Sequence, residues 1–225
     1  MKRNIRITPF GYRSISITLL VCFTLIIGGL LLPFPASFLI PSAAACFLLF
    51  TLYFYRDPER EVPAEKNTIL APADGTVVLM KKIDHRFTGS SSTLISIFMS
   101  PFNVHVNRIP VSGSVTHLRY SPGKFLMAFD ERSMSENERM EIGIDTGTAK
   151  VLFCQVAGFL ARRIVCTLKA GDAVSAGVRF GMIRFGSRVD VILPADVSVT
   201  VSNGTKTVSG VTVIGRQRFF SGNNA

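Results

Sequence analysis

The chain lacks most of the signatures that would assign its chemistry quickly. It has four cysteines, Cys22, Cys46, Cys154 and Cys166, and no Cys-x-x-Cys pair among them. Its three histidines, His85, His105 and His117, lie far apart and in no His-Glu-x-x-His spacing, so no metal is expected. The cysteines read as small buried hydrophobes in a reducing compartment, not as disulfides. There is no P-loop and no Gly-x-Gly-x-x-Gly fingerprint. There is no Gly-x-Ser-x-Gly elbow, and no lysine in a setting that suggests pyridoxal phosphate. RNP-type motifs, zinc-finger spacing and dense Lys/Arg runs are also missing, which removes the usual supports for nucleic-acid binding.

What is present is basic and apolar. Lysine and arginine total 25 against 15 acidic residues, a formal charge of +10, and 48% of residues are hydrophobic. Such a balance suits a protein on an anionic membrane, because juxtamembrane cations are drawn to anionic lipid. The apolar excess is concentrated in two runs, residues 15–32 and 38–55, separated by Pro33-Phe34-Pro35. Each run is about the ~20 residues that span a bilayer as a helix. A signal peptide is the competing reading of the first run, but no small-residue cleavage site precedes the prolines. A helical hairpin over residues 1–56 is expected, spanning twice or dipping into one leaflet. Lys2, Arg3, Arg6 and Arg13 precede it, and Arg56, Arg60 and Lys66 follow it, which puts both ends on the cytoplasmic side. Tyr53 and Tyr55 fall where an interfacial aromatic belt would lie.

After the polar segment Asp57-Pro58-Glu59-Arg60-Glu61-Val62-Pro63 the pattern changes. Short runs rich in Val, Ile, Thr and Phe alternate with Gly, Pro, Asp and Asn, which predicts a β domain over residues 57–225. Strands are expected at 75–83, 94–99, 104–109, 113–118, 142–146, 150–156, 163–167, 181–185, 188–193, 198–201 and 212–214. Residues 130–140 read as helical or irregular. The turn-strand-turn unit Gly171-Asp172-Ala173-Val174-Ser175-Ala176-Gly177 points to a barrel-sandwich of the lipoyl or biotinyl type. Ile69-Leu70-Ala71-Pro72-Ala73-Asp74-Gly75-Thr76-Val77 is echoed by Val191-Ile192-Leu193-Pro194-Ala195-Asp196-Val197-Ser198-Val199, as in two similar halves.

Three places could carry chemistry. Asp74-Gly75 is a turn pair that needs no function: Asp bonds local backbone and Gly supplies a positive φ. His105 shares the polar side of a predicted strand with Asn103 and Asn107, a pattern that fits a surface or a cleft. Gly186-Ser187 separates two predicted strands and is, by itself, a common turn pair.

Together these residues resemble the phosphatidylserine decarboxylase family in its short bacterial and archaeal form. The resemblance runs from about Arg56 to Arg216. It is carried by Tyr55-Arg56-Asp57-Pro58-Glu59-Arg60, Ala71-Pro72-Ala73-Asp74-Gly75, Met99-Ser100-Pro101-Phe102-Asn103-Val104-His105, Ser135-Glu136-Asn137-Glu138-Arg139, Gln155-Val156-Ala157-Gly158-Phe159-Leu160-Ala161-Arg162-Arg163-Ile164 and Arg179-Phe180-Gly181-Met182-Ile183-Arg184-Phe185-Gly186-Ser187-Arg188-Val189-Asp190. It implies self-cleavage at Gly186-Ser187 into chains 1–186 and 187–225, with a pyruvoyl group made from Ser187 and no metal. It implies that His105 and Asp74 match the family's base and that base's carboxylate partner. It implies a substrate, phosphatidylserine, whose amine forms a Schiff base with the pyruvoyl ketone before CO₂ is lost. The two chains would form a heterodimer at the inner face of a bacterial cell membrane, with a higher homo-oligomer left open. Longer family members carry a second histidine where Arg108 stands here, and Leu-Gly-Ser-Thr where this chain has Phe185-Gly186-Ser187-Arg188. Arg108 is thus a candidate ligand for the substrate's carboxylate or phosphate, and Arg162 and Arg163 for its phosphate. Residues 124–140 are a candidate lipid-facing lid. The rival reading is a non-enzymatic membrane-anchored barrel-sandwich adaptor, though the long coiled-coil hairpins usual there are missing.

Overall fold

The computed structural model describes residues 5–65, 67–124, 126, 136–158, 163–184 and 187–217. It divides into two compact units, Met1–Glu59 and Arg60–Ala225.

The first unit is a pair of apolar helices, α1 (Tyr12–Leu30) and α2 (Ala36–Phe54). Both are long and apolar enough to cross a membrane, and only 17% of each apolar window is buried. Leu20, Phe23, Phe38 and Leu49 each expose about two thirds of their surface, an outward apolar face that lipid would cover. Gly29 packs against Pro41, where a Cβ would lie 2.9 Å from Pro41 Cδ, so glycine lets the helices approach closely. At the other end Gly11 lies under the Tyr55 ring, and Thr8 N–H donates to Tyr55 O at 2.9 Å. A short ladder, β1 (Ile5–Ile7) with β2 (Arg56–Pro58), joins the two ends of the hairpin. The Arg56 guanidinium stacks 3.7 Å over the Tyr53 ring, a cation–π contact at the expected aromatic position. Cys46 is exposed along α2, unlike the buried position expected of it.

The second unit is built from β3 (Thr68–Leu70), β4 (Gly75–His85), β5 (Gly89–Met99), β6 (Val106–Arg108), β7 (Gly113–Ser121), β8 (Arg139–Asp145), β9 (Lys150–Ala157), β10 (Ile164–Cys166), β11 (Ala173–Val174), β12 (Arg179–Ile183), β13 (Ser187–Leu193), β14 (Val197–Val199), β15 (Lys206–Thr207) and β16 (Val213–Gln217). An eight-stranded sheet, in the order β11-β7-β8-β9-β13-β5-β4-β15, curls against two three-stranded sheets, β10-β12-β6 and β14-β16-β3. The protein is therefore mainly β with an apolar helical pair at its N-terminus. The enclosed core includes Ile95, Ile97, Phe153, Phe180, Val189 and Val191. The expected strands all appear, although the run at 104–109 shortens to Val106–Arg108. Residues 127–135, which include much of the segment expected to be helical or irregular, fall outside the described residues.

The echoed segments sit at two corners. The first leaves β3 in a three-stranded sheet and enters β4 in the large one. The second leaves β13 in the large sheet and enters β14 in the same three-stranded sheet as β3. The repeat thus marks two crossings between the same pair of sheets, in opposite directions.

Strand β13 occupies the middle of the large sheet, bonded to β5 on one edge and β9 on the other. All seven of its residues are buried. Side chains alternate along a strand, so Val189, Val191 and Leu193 enter the core while Arg188, Asp190 and Ile192 face the other way. On that second face Arg188 and Asp190 form an ion pair, with Nε to Oδ1 at 2.8 Å and Nη2 donating to Oδ2 at 3.0 Å. Ser96 and Cys154 flank Asp190 on the neighbouring strands. Burial pushes the Asp190 carboxyl up while Arg188 opposes that shift. Burial also raises the Cys154 thiol well above its ordinary value, which makes it inert. Removing one partner of such a pair strands a buried charge. Arg188→Met should therefore cost ~3–5 kcal/mol, and Arg188→Met with Asp190→Leu should recover most of that loss. Equilibrium denaturation of the single and double variants checks this.

Candidate active site

Ser187 is the first residue of β13 and is wholly buried. It pairs with Met99 on β5 and Ala157 on β9. Its Oγ donates to Met99 Sδ at 3.4 Å. Gly186 lies outside the described residues, as does Arg162.

The chain leaves Met99 through a tight turn. Asn103 Oδ1 accepts from Ser100 N–H and Oγ–H, both at 2.9 Å, and Asn103 N–H donates to Ser100 O. The turn delivers His105 to the start of β6. Val106 stands opposite Met182 on β12, so His105 lies at the end of β12 that leads toward Ser187. His105 is fully buried, which resolves the choice between surface and cleft in favour of the interior. Its Nδ1 is 3.0 Å from Asn103 O. A carbonyl only accepts, so Nδ1 carries the proton and the basic lone pair is on Nε2.

Asn107 and Gln155 complete the interior polar group. Gln155 Nε2 donates to Asn107 Oδ1 at 2.8 Å, and Asn107 Nδ2 lies 3.9 Å from Met99 Sδ. A continuous path of contacts thus runs from Ser187 through Met99 and Asn107 to Gln155. Sequence reasoning includes Met99 and Gln155 in the motifs that carry the family resemblance but gives neither a role. The available signal for Gln155 is one amide inside the apolar run Val151-Leu152-Phe153-Cys154-Gln155-Val156-Ala157.

Asp74 is engaged elsewhere. Its carboxylate receives Arg60 Nη1 at 2.6 Å and Nη2 at 2.8 Å, and Ser209 N–H at 2.8 Å. Arg60, which the sequence places in a polar linker, has only 8% of its side chain exposed. Gly75 shows no positive φ. Glycine is required there because a Cβ would fall 2.1 Å from Phe98 O on β5. The adjoining Pro72 carbonyl accepts from Arg108 N–H at 3.0 Å, Ser209 Oγ–H at 3.0 Å and Asn107 Nδ2 at 3.5 Å. The Asp74 corner and the His105 strand are thereby tied together.

Arg108 is buried, donates from Nη1 to Gly177 O at 3.0 Å and packs against Gly210. Arg163 is exposed. His85 and His117 are half-buried, and His117 Nε2 lies 3.4 Å from Glu141. Two surface clefts of about 540 and 470 Å³ are lined by neither Ser187, His105 nor Asp74.

A family model described as phosphatidylserine decarboxylase matches residues 47–215. The chain belongs to that family. Relatives bearing the name phosphatidylserine decarboxylase proenzyme include one from Chlorobaculum tepidum, 57% identical over 94% of this chain and 98% of its own length. A Chlorobium phaeobacteroides relative of the same name is 58% identical over 93% of this chain and 99% of its own. One from Chlorobium limicola is 57% identical over 93% and 99%. Membership of a family of enzymes sets aside the adaptor reading.

Within this family member the Arg60–Asp74 pair supports the corner that carries the Pro72 carbonyl. Arg60→Ala should destabilise the fold by ~3 kcal/mol, because it leaves the Asp74 carboxylate largely enclosed without a cation. Asp74→Asn should cost a similar amount, because it leaves the Arg60 guanidinium, the more enclosed partner, without an anion. Thermal and chemical denaturation of the two variants checks this.

Proposed function

We propose that the chain is a proenzyme that cuts itself between Gly186 and Ser187 and then decarboxylates phosphatidylserine to phosphatidylethanolamine and CO₂. The observation that supports this most is the position of Ser187: wholly buried, first in a strand bonded along both edges, its hydroxyl resting on a thioether.

In the first reaction His105 takes the Ser187 hydroxyl proton, and Oγ attacks the carbonyl carbon of Gly186. The peptide C–N bond breaks and the nitrogen takes up a proton, leaving an ester and a free amine. Loss of the Cα proton of residue 187 then expels the Gly186 carboxylate. The resulting dehydroalanine tautomerises to an imine, which water hydrolyses with release of ammonia. The new N-terminus of residues 187–225 is a pyruvoyl group.

The residues present fit that group. Position 187 is out of bulk water, and contacts through Met99 link it to the two buried amides of Asn107 and Gln155. A pyruvoyl carbonyl supplies an electron sink for the pair left by departing CO₂, the role that pyridoxal serves elsewhere. His105 is the residue that returns a proton to the substrate carbon. Asp74 acts at a remove, holding Arg60 and Ser209 so that the Pro72 carbonyl fixes the strand bearing Asn107. Arg108 secures the Gly177 and Gly210 turns, and Arg163, being exposed, is the candidate that would meet the lipid phosphate. The apolar hairpin and the +10 charge suit an anionic bilayer, with the β domain on the cytoplasmic side of the inner membrane.

Intact mass spectrometry of the purified protein should show two chains, the smaller lacking a free amino terminus. Ser187→Ala should give one uncut chain and no CO₂ release. His105→Ala should block cleavage or slow it at least about a hundredfold, the usual scale of a lost general base. Normal processing of His105→Ala, read by the same masses, would remove the base assignment.

A further inference from the structure

Gln155 carries an atom that the fold does not use. The residue is fully buried, and its Oε1 has no hydrogen-bond partner among the described residues. A buried amide oxygen left unpaired is costly, and such groups in a native fold are few. The orientation of the amide is fixed by its neighbours. Asn107 Nδ2 faces Pro72 O at 3.5 Å, which leaves Asn107 Oδ1 to receive Gln155 Nε2 at 2.8 Å. Gln155 Nε2 also faces Val165 O at 3.4 Å. Carbonyls only accept, so both amide nitrogens are committed and Oε1 is left as the open acceptor.

Gln155 is a diagonal neighbour of the reacting position across the β9–β13 ladder. Ser187 pairs with Ala157, and Gln155 lies two residues back along β9, on the same face of the sheet. Diagonal neighbours of this kind are about 7–8 Å apart, a gap that a small headgroup bridges. The missing partner must be a donor. The reacting end of phosphatidylserine carries one donor group, its amine; the carboxylate and phosphate only accept.

We propose that Gln155 Oε1 accepts a hydrogen bond from the substrate's amino group and aims its nitrogen at position 187. Asn107 is the positioning residue, since its Oδ1 holds the Gln155 amide. The assignment rests on the reading of Ser187 as the carbonyl-bearing end of the smaller chain. It adds a specificity: an amine with N–H groups is favoured over one that is fully methylated.

The test uses the full chain in detergent, with carbonyl groups reduced by borohydride so that only non-covalent binding is read. Short-chain phosphatidylethanolamine and phosphatidylcholine are titrated calorimetrically against wild type, Gln155→Met and Gln155→Glu. Wild type should bind the ethanolamine lipid about tenfold more tightly than the choline lipid, a difference of about 1.4 kcal/mol. Gln155→Met should erase that preference while leaving choline-lipid affinity unchanged, and Gln155→Glu, which keeps an acceptor, should retain it. A full preference in Gln155→Met overturns the assignment. Should Gln155→Met fail to fold, loss of the preference in Gln155→Glu overturns it instead. Intact mass of the unreduced wild type separates the two levels. An uncut chain removes the reading of Ser187 and the Gln155 role with it, whereas a cut chain with unaltered headgroup preference in Gln155→Met removes only the latter.

Discussion

The two-sided hydrogen bonding of β13 is the constraint on which the rest depends. A cut just before Ser187 would free the last strands of the chain if they formed a separate lobe. They do not. β13 is the inner strand between β5 and β9, β15 is the edge strand beside β4, and β14 and β16 build a second sheet with β3. The segment after the proposed cut is therefore woven into two of the three sheets of the β unit. The new terminus would be held by ladder bonds on both sides and by a core that contains Val189, Val191 and Leu193. The proposed cleavage would sever the chain at one point and leave the ladder bonds on both edges of β13 in place.

Alternation along the same strand sorts its polar groups. Ser187 shares a face with the core residues, while Arg188 and Asp190 are turned to the opposite face and neutralise each other there. A slip of one residue would move the Arg188 guanidinium into the apolar core, so this pair also fixes register. Register in turn decides whether the serine hydroxyl or a neighbouring group meets Met99. On the core side, the polar groups linked to Ser187 through Met99 are the neutral amides of Asn107 and Gln155. In that low-dielectric setting each hydrogen bond to a developing charge counts for more than it would in water.

Much of the fold is legible in the chain, for reasons visible in particular residues. Period-two runs of Val, Ile and Phe mark the strands, and two apolar runs parted by Pro33-Phe34-Pro35 mark the helices. Polar groups inside strands are harder to read. His105 and Asn107 alternate with apolar residues as a solvent-facing pair would, yet the fold turns them inward and buries both completely. Gly75 reads as a residue of positive φ, when its actual constraint is the Phe98 carbonyl on the next strand of the large sheet. Arg60 reads as a linker cation because its partner, Asp74, is reached only once the corner forms. In each case the deciding contact is non-local, and local pattern carries no information about it.

The thioether at Met99 bears on how one serine could serve two reactions. A nucleophilic hydroxyl held by a strong acceptor must first break that bond. Sulfur is a weak acceptor, and at 3.4 Å the contact orients Ser187 Oγ without binding it tightly. A soft, polarisable neighbour would also suit residue 187 after the proposed conversion, since it makes no demand for a donor once the hydroxyl is gone. An amide or carboxylate in its place would be left unsatisfied after conversion of Ser187, at the full cost of a buried unpaired acceptor. Met99 would thus tolerate residue 187 both before and after the proposed conversion. The orphaned acceptor is at Gln155 instead, on the neighbouring strand, where an incoming amine rather than the serine could satisfy it.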